Sequence, residues 1–111
     1  MEKIISFEEF TKIDLRIGTI LEVNDFPEAK QPAYQLKVDF GNLGVKYSSA
    51  QITSKYEKTD LLGKQIVAVV NLPKKQIAHF NSSCLILGAV KANDVFLLHP
   101  SIKVPNGAVV S

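Results

Sequence analysis

The sequence is poor in the features that mark several large classes of protein. It has one cysteine, Cys84, among 111 residues, which excludes an intramolecular disulfide and fits a reducing compartment. Its longest apolar runs, 65–72 and 85–90, fall far short of the roughly 20 residues needed to cross a bilayer as a helix, so no membrane insertion is expected. The first residues, Met1-Glu2-Lys3-Ile4-Ile5-Ser6-Phe7-Glu8-Glu9, have neither the basic start nor the uninterrupted apolar stretch of a signal peptide, and the expectation is a cytoplasmic protein.

Catalytic signatures are missing as well. There is no Walker loop and no GxGxxG string, and His79 and His99 stand alone without HExxH or cysteine spacing, so no metal and no cofactor are expected. Cys84 adjoins Leu85-Ile86-Leu87 and reads as a buried, inert thiol. Asp14 and Asp39 fall on different strands and share no proton, and Asp14 reads as a structural partner of Arg16. The chain is expected not to be an enzyme.

What is present is an ordinary globular composition, 46% hydrophobic and 22% charged, sufficient for one core and too short for two. Residues 1–111 therefore form one expected domain. The net charge of +2 is too mild to imply nucleic acid, but it is unevenly spread. Residues 1–29 carry three basic and seven acidic side chains, whereas residues 30–111 carry ten lysines against Asp39, Glu57, Asp60 and Asp94. One acidic element and a basic remainder would give this pattern, and so would lysines scattered over a solvated surface.

Periodicity gives the elements. Ser6 and Glu9 have capping-box spacing, and Phe7, Phe10 and Ile13 recur on one face, which predicts a helix over 6–13. Alternation from Leu15 to Val23 predicts a strand, with Leu15, Ile17, Thr19, Leu21 and Val23 on one side and a bend or bulge at Gly18. Phe26 to Ala33 holds two prolines and reads as a long connection. Tyr34, Leu36, Val38 and Phe40 alternate strictly with Gln35, Lys37 and Asp39, the clearest strand in the chain. Gly41-Asn42-Leu43-Gly44 turns it into a third strand at 45–49; the GXXG string of KH domains joins helices, so here it is a hairpin turn. A helical turn is expected within 48–56, a buried strand over 65–72, a loop around Pro73-Lys74-Lys75, and further strands at 85–90 and 95–98. The segment 99–111 is turn-rich with an extended piece. An all-β fold follows, best matched by a five-stranded Greek-key OB-fold barrel with short flanking helices.

Several motifs, in order, carry a family resemblance: residues 10–20, residues 26–34, Tyr47-Ser48-Ser49-Ala50-Gln51-Ile52-Thr53, Val69-Val70-Asn71-Leu72-Pro73 and Val104-Pro105-Asn106-Gly107. Together they resemble the CsaA-type secretion chaperones within the wider tRNA-binding-domain family. The resemblance implies an OB-fold homodimer whose amino-terminal helix and carboxyl-terminal extension, 99–111, build the subunit contact. It implies two kinds of partner besides a second copy: tRNA or other structured RNA, and unfolded preprotein peptides in export. The alternative is a tRNA-binding accessory or scaffold module for an aminoacyl-tRNA synthetase. Members that bind tRNA resemble a Ser-x-Gly-Met pattern where this chain has Ser82-Ser83-Cys84-Leu85, so Cys84 and Leu85 depart from it, and a close backbone approach allowed by glycine is at issue.

RNA binding by such a barrel needs cations for phosphate and polar or aromatic groups on an exposed face. Arg16, Lys37, Lys74 and Lys75 are the candidate cations, Ser48, Gln51, Asn81 and Ser82 the candidate hydrogen-bonding groups, and Tyr47 the candidate stacking ring; Tyr34 belongs to a core stripe. Each alone reads as a solvated surface residue, and the set gains weight from the motifs. Phe7, Phe10, Ile13, Ile102 and Val104 are the candidate dimer residues, the first three of which would otherwise pack under their own barrel.

Overall fold

The computed structural model describes residues 3–111. Strand β1 (Leu15–Asp25) pairs with β2 (Tyr34–Asp39), which turns through Gly41–Leu43 into β3 (Val45–Ala50). After helix α2 (Lys58–Leu61; the single-turn α1 is Phe7–Phe10), β4 (Gln65–Val69) returns to the other edge of β1 and pairs in turn with β7 (Leu85–Ile86). The strand order β3-β2-β1-β4-β7 is antiparallel throughout and has the Greek-key form, a meander whose fourth strand lies beside its first. Ser83 N–H donates to Tyr47 O at 2.7 Å, which brings the chain entering β7 back against β3. The result is a nearly closed five-stranded barrel with two short flanking helices.

The core follows from the alternation in β2. Leu36, Val38 and Phe40 are fully buried and meet Ile20, Leu61, Ile66 and Ala68 in one cluster; burying each large side chain contributes about 1.5–3 kcal/mol. Val38 and Phe40 press directly on β1 at Gly18, where a Cβ would lie 2.6 Å from Val38 Cγ1 and 2.7 Å from Phe40 Cε1. Glycine thus leaves the space that these two side chains fill. The bulge itself lies further on, between Ile20 and Glu22. It breaks the uniform alternation expected for β1: Gly18 and Ile20 face the core, Leu21 is exposed, and Val23 packs inward after the register shift.

Other differences are local. The expected helix over 6–13 is the one turn of α1; its capping box is present, with Glu9 N–H donating to Ser6 Oγ at 3.0 Å and Ser6 N–H to Glu9 Oε1 at 3.0 Å. The helical turn expected within 48–56 falls later, at α2, because 48–50 complete β3. The loop after Pro73 contains a hairpin, β5 (Lys75–Ile77) with β6 (Phe80–Ser82), whose turn places Ala78 at a φ of 54°. The strand expected over 85–90 divides into β7 and β8 (Gly88–Lys91), the latter pairing with β9 (Asp94–Leu97).

Polar side chains secure both ends of the chain. Asn71 acts as a surrogate backbone, donating from Nδ2 to Lys12 O at 2.7 Å and accepting from Asp14 N–H at 2.9 Å. Gln65 does the same for the carboxyl-terminal segment, donating to Val104 O at 2.7 Å and accepting from Val104 N–H at 3.1 Å. Thr19 Oγ1 donates to Asn106 Oδ1 at 2.6 Å, and Gly107 N–H donates to Ile17 O at 2.7 Å. The extended piece ends as β10 (Val109–Val110), paired with Leu15 and Arg16.

Gly18→Val is expected to destabilise the protein by about 1–3 kcal/mol through overpacking against Val38 and Phe40. A urea unfolding midpoint equal to that of the wild type would show that the two strands can separate at no cost.

Candidate nucleic-acid interface

The residues that alternate with the core stripe form the outer face of β1, β2 and β3. Lys37 and Tyr47 are cross-strand partners there, with Gln35 and Ser49 as the next outward pair. Lys37 Nζ lies 3.1 Å from Glu22 Oε2 across β1 and β2, and this hydrogen bond, followed by the charge of Glu22, raises the lysine pKa. Tyr47 is 42% exposed. Its ring and that of Phe80 meet in a T-shaped contact with centroids 6.2 Å apart, and Phe80 packs on buried Phe26 at 5.4 Å. The β5–β6 hairpin therefore leans on the outer face through an aromatic row.

Hydrogen bonds fix the edge of this face. Tyr47 N–H donates to Ser83 Oγ at 3.2 Å, Ser49 N–H donates to Ser82 Oγ at 3.4 Å, and Ser82 Oγ donates to Cys84 O at 3.4 Å. Lys75 stands opposite Ser82 in the hairpin register, and Lys74 precedes it; both lysines are exposed, and among the described residues neither makes an ion pair. Asn81 is exposed, between Phe80 and Ser82 on β6.

Three expected members of the site stand elsewhere. Arg16 is half-buried, with Nε 2.6 Å from Asp14 Oδ1 and Nη1 donating to Gly107 O at 3.0 Å, so its guanidinium secures the carboxyl-terminal chain. Ser48 is 1% exposed and faces the core, which corrects its place among surface residues: along β3 it has the parity opposite to Tyr47. Gln51 is exposed on the rim of a separate groove of about 350 Å³ between the end of β3 and 85–90. Phe26 and Phe80 were not among the expected site residues. Phe26 sits in a proline-rich connection and Phe80 in a stretch without alternation, and only their shared contact reveals them.

Cys84 is buried, 6% exposed, and turned into the core. Burial pushes its thiol up to about 11, opposed by the charge of Lys46 and a hydrogen bond with Ser48. With the side chain inside, the cysteine adds no bulk to the outer surface beside Ser82. Leu85, the other departure, is half exposed next to it.

The candidate dimer residues are mostly uncovered. Phe7 is 78% and Ile102 76% exposed, Ile13 is exposed, and Phe10 and Val104 are half-buried; Phe7 and Phe10 pack on each other at 6.4 Å. Ile4 and Ile5 extend the exposed apolar stripe. The stripe on α1 is thus not packed under its own barrel.

The pattern of the family described as "Putative tRNA binding domain" matches residues 15–109, which takes in every barrel strand and the outer face. The chain belongs to this tRNA-binding-domain family. Over its whole length it is similar to the chaperone CsaA of Bacillus anthracis, with 52% identity, a TM-score of 0.94, and coverage of 98% of this chain and 100% of that one. The CsaA chaperone of Picrophilus torridus is 49% identical with a TM-score of 0.90, covering 97% and 100% of the two chains. The likeness read from the ordered motifs thus extends across the whole fold. Among sequence relatives, the methionine–tRNA ligase of Pyrococcus furiosus is 41% identical over 106 residues, 96% of this chain and 14% of the ligase. The chain spans only that small share of such ligases.

Because the Cys84 thiol is protonated more readily folded than unfolded, its contribution to stability is intact below about pH 9 and is lost as pH rises toward about 11. The native thiol is expected to resist alkylation at pH 8 and to react fully in denaturant, and Cys84→Ala is expected to remove part of the stability loss between pH 9 and 11. Rapid native alkylation, or identical pH profiles for both proteins, would contradict this burial.

Proposed function

We propose that the chain is a homodimeric, CsaA-like chaperone that binds unfolded preprotein segments and tRNA-like structured RNA in the cytoplasm, without catalysis. The observation that carries this reading is the end-to-end similarity to chaperones of the same length. A chaperone works by binding, which agrees with a sequence that carries no catalytic constellation.

Each activity has a surface suited to it. The exposed apolar side chains Ile4, Ile5, Phe7 and Ile13 at one terminus and Ile102 at the other support self-association, because burial against a second copy removes them from water. Two grooves offer apolar walls to extended peptide: the one beside Gln51, and another of about 540 Å³ bounded by Tyr56, Leu61, Ile66, Leu97 and Ile102. The outer face, with Lys37, Tyr47, Asn81 and Ser82 beside Lys74 and Lys75, supports RNA binding. Pairing two copies would double every site and strengthen the hold on a long ligand through effective concentration.

A second reading, an accessory module for an aminoacyl-tRNA synthetase, is favoured by the ligase relatives that carry a similar domain within a longer chain. Stable co-purification with a synthetase would support it over the chaperone reading.

Salt separates the two binding modes: RNA affinity falls steeply as counterions are released, and apolar peptide affinity changes little. Lys74→Glu combined with Lys75→Glu is expected to weaken binding of folded tRNA and to reduce the slope of log affinity against log salt by about 2. Unchanged affinity would remove the hairpin from the site. Phe10→Asp is expected to give monomers or aggregates by sedimentation velocity; a dimer like the wild type would place the interface elsewhere.

A further inference from the structure

The outer face is unusual for a surface meant to hold phosphate alone. Its central lysine, Lys37, is paired with Glu22, and Asp39 lies on the same side of β2. Asp39 Oδ1 already accepts the N–H of Gly41 at 2.8 Å. The one lysine central to this face is therefore flanked by two carboxylates, and Lys74 and Lys75, which make no ion pair among the described residues, stand to one side at the hairpin. A double helix presents two dense rows of phosphate and keeps its base faces stacked away from protein. Against such a ligand this face offers few unmatched cations and some repulsion.

At the centre of the same face stands Tyr47, a large ring that water reaches and that neighbours hold in place. Phe80 meets it in a T-shaped contact, buried Phe26 backs Phe80, and the Tyr47 backbone is tied on both its N–H and its C=O to Ser83. A ring fixed in this way loses little conformational freedom when a flat group stacks on it. Ser49 and Gln35 flank it along the strands, and Ser82 with Lys75 follow on the hairpin. An aromatic platform, a polar rim and lysines to one side suit a single strand whose unstacked base lies on the ring while its backbone runs toward the hairpin.

We infer that this face takes an unpaired RNA segment, with one base stacked on Tyr47 and the adjoining phosphate near Lys74 and Lys75, and that Phe80 is a positioning residue for the ring. This rests on the RNA-binding reading above and narrows its ligand from folded RNA in general to an unpaired stretch within it.

The test compares an oligouridylate of about 12 nucleotides with an RNA duplex of about the same length, a span that covers the usual footprint of one OB barrel. Binding is measured by fluorescence anisotropy for the wild type, Tyr47→Ala, Tyr47→Phe and Phe80→Ala, with thermal melts to verify folding. The wild type is expected to prefer the single strand by about tenfold or more near physiological salt. Tyr47→Ala is expected to lose about 5- to 150-fold on the single strand, the range for one stacked base, with little change on the duplex. Tyr47→Phe should restore binding, and Phe80→Ala should give an intermediate loss. Equal wild-type affinity for strand and duplex, or a folded Tyr47→Ala variant that binds the single strand normally, would overturn the inference while leaving RNA binding in place. Failure of the wild type to bind either probe or folded tRNA would overturn the RNA reading itself, and this inference with it.

Discussion

The contact on which this barrel depends is the passage of β1 across β2 at Gly18. Val38 and Phe40 fill the space where any side chain at residue 18 would project, and a Cβ there would come within 2.6–2.8 Å of them. Because this space is left open, Val38 and Phe40 settle over β1 and, with Leu36, meet Ile20, Ile66 and Ala68 in a single cluster. The same packing, together with the shift in register after Ile20, curls the sheet enough for the chain before β7 to meet β3. A barrel of this size has no interior to spare, so packing at one crossing decides the curvature of all five strands.

Curvature in turn produces the outer face. Once the β2 stripe is committed to the interior, the residues between its members must point outward, and Lys37 with Tyr47 come together as neighbours across two strands. The β5–β6 hairpin then has a surface to rest on, and it does so with Phe80. The termini are held by another device, side-chain amides that imitate main chain: Asn71 at the start and Gln65 near the end. Both leave apolar side chains exposed nearby, Ile13 beside the first and Ile102 beside the second.

The full-length relatives and the ligase relatives use one domain in two settings. In the CsaA chaperones it is the whole chain; in the methionine–tRNA ligases it is a small part. A compact barrel whose strands, core and flanking segments bond to one another within one domain can be attached to another protein or stand as a chain of its own.

Much of this was legible in the residues themselves. Strict alternation in Tyr34, Leu36, Val38 and Phe40, the Gly41–Gly44 turn, the buried run expected over 65–72, of which β4 keeps 65–69, and the capping box at Ser6 are local signals, each set by the chemistry of neighbours in sequence. Ordered motifs added the family and the barrel topology. Tertiary structure decided the rest, because it depended on partners far apart in the chain. The bulge after Ile20 reassigns the faces of β1; Arg16 is drawn to Asp14 and Gly107; Ser48 is turned inward while Tyr47 is left outside. Phe26, Tyr47 and Phe80 share no local pattern at all. They become one surface only when the hairpin folds onto the sheet, since a contact between residues 26 and 80 is a property of the closed barrel and not of any segment within it.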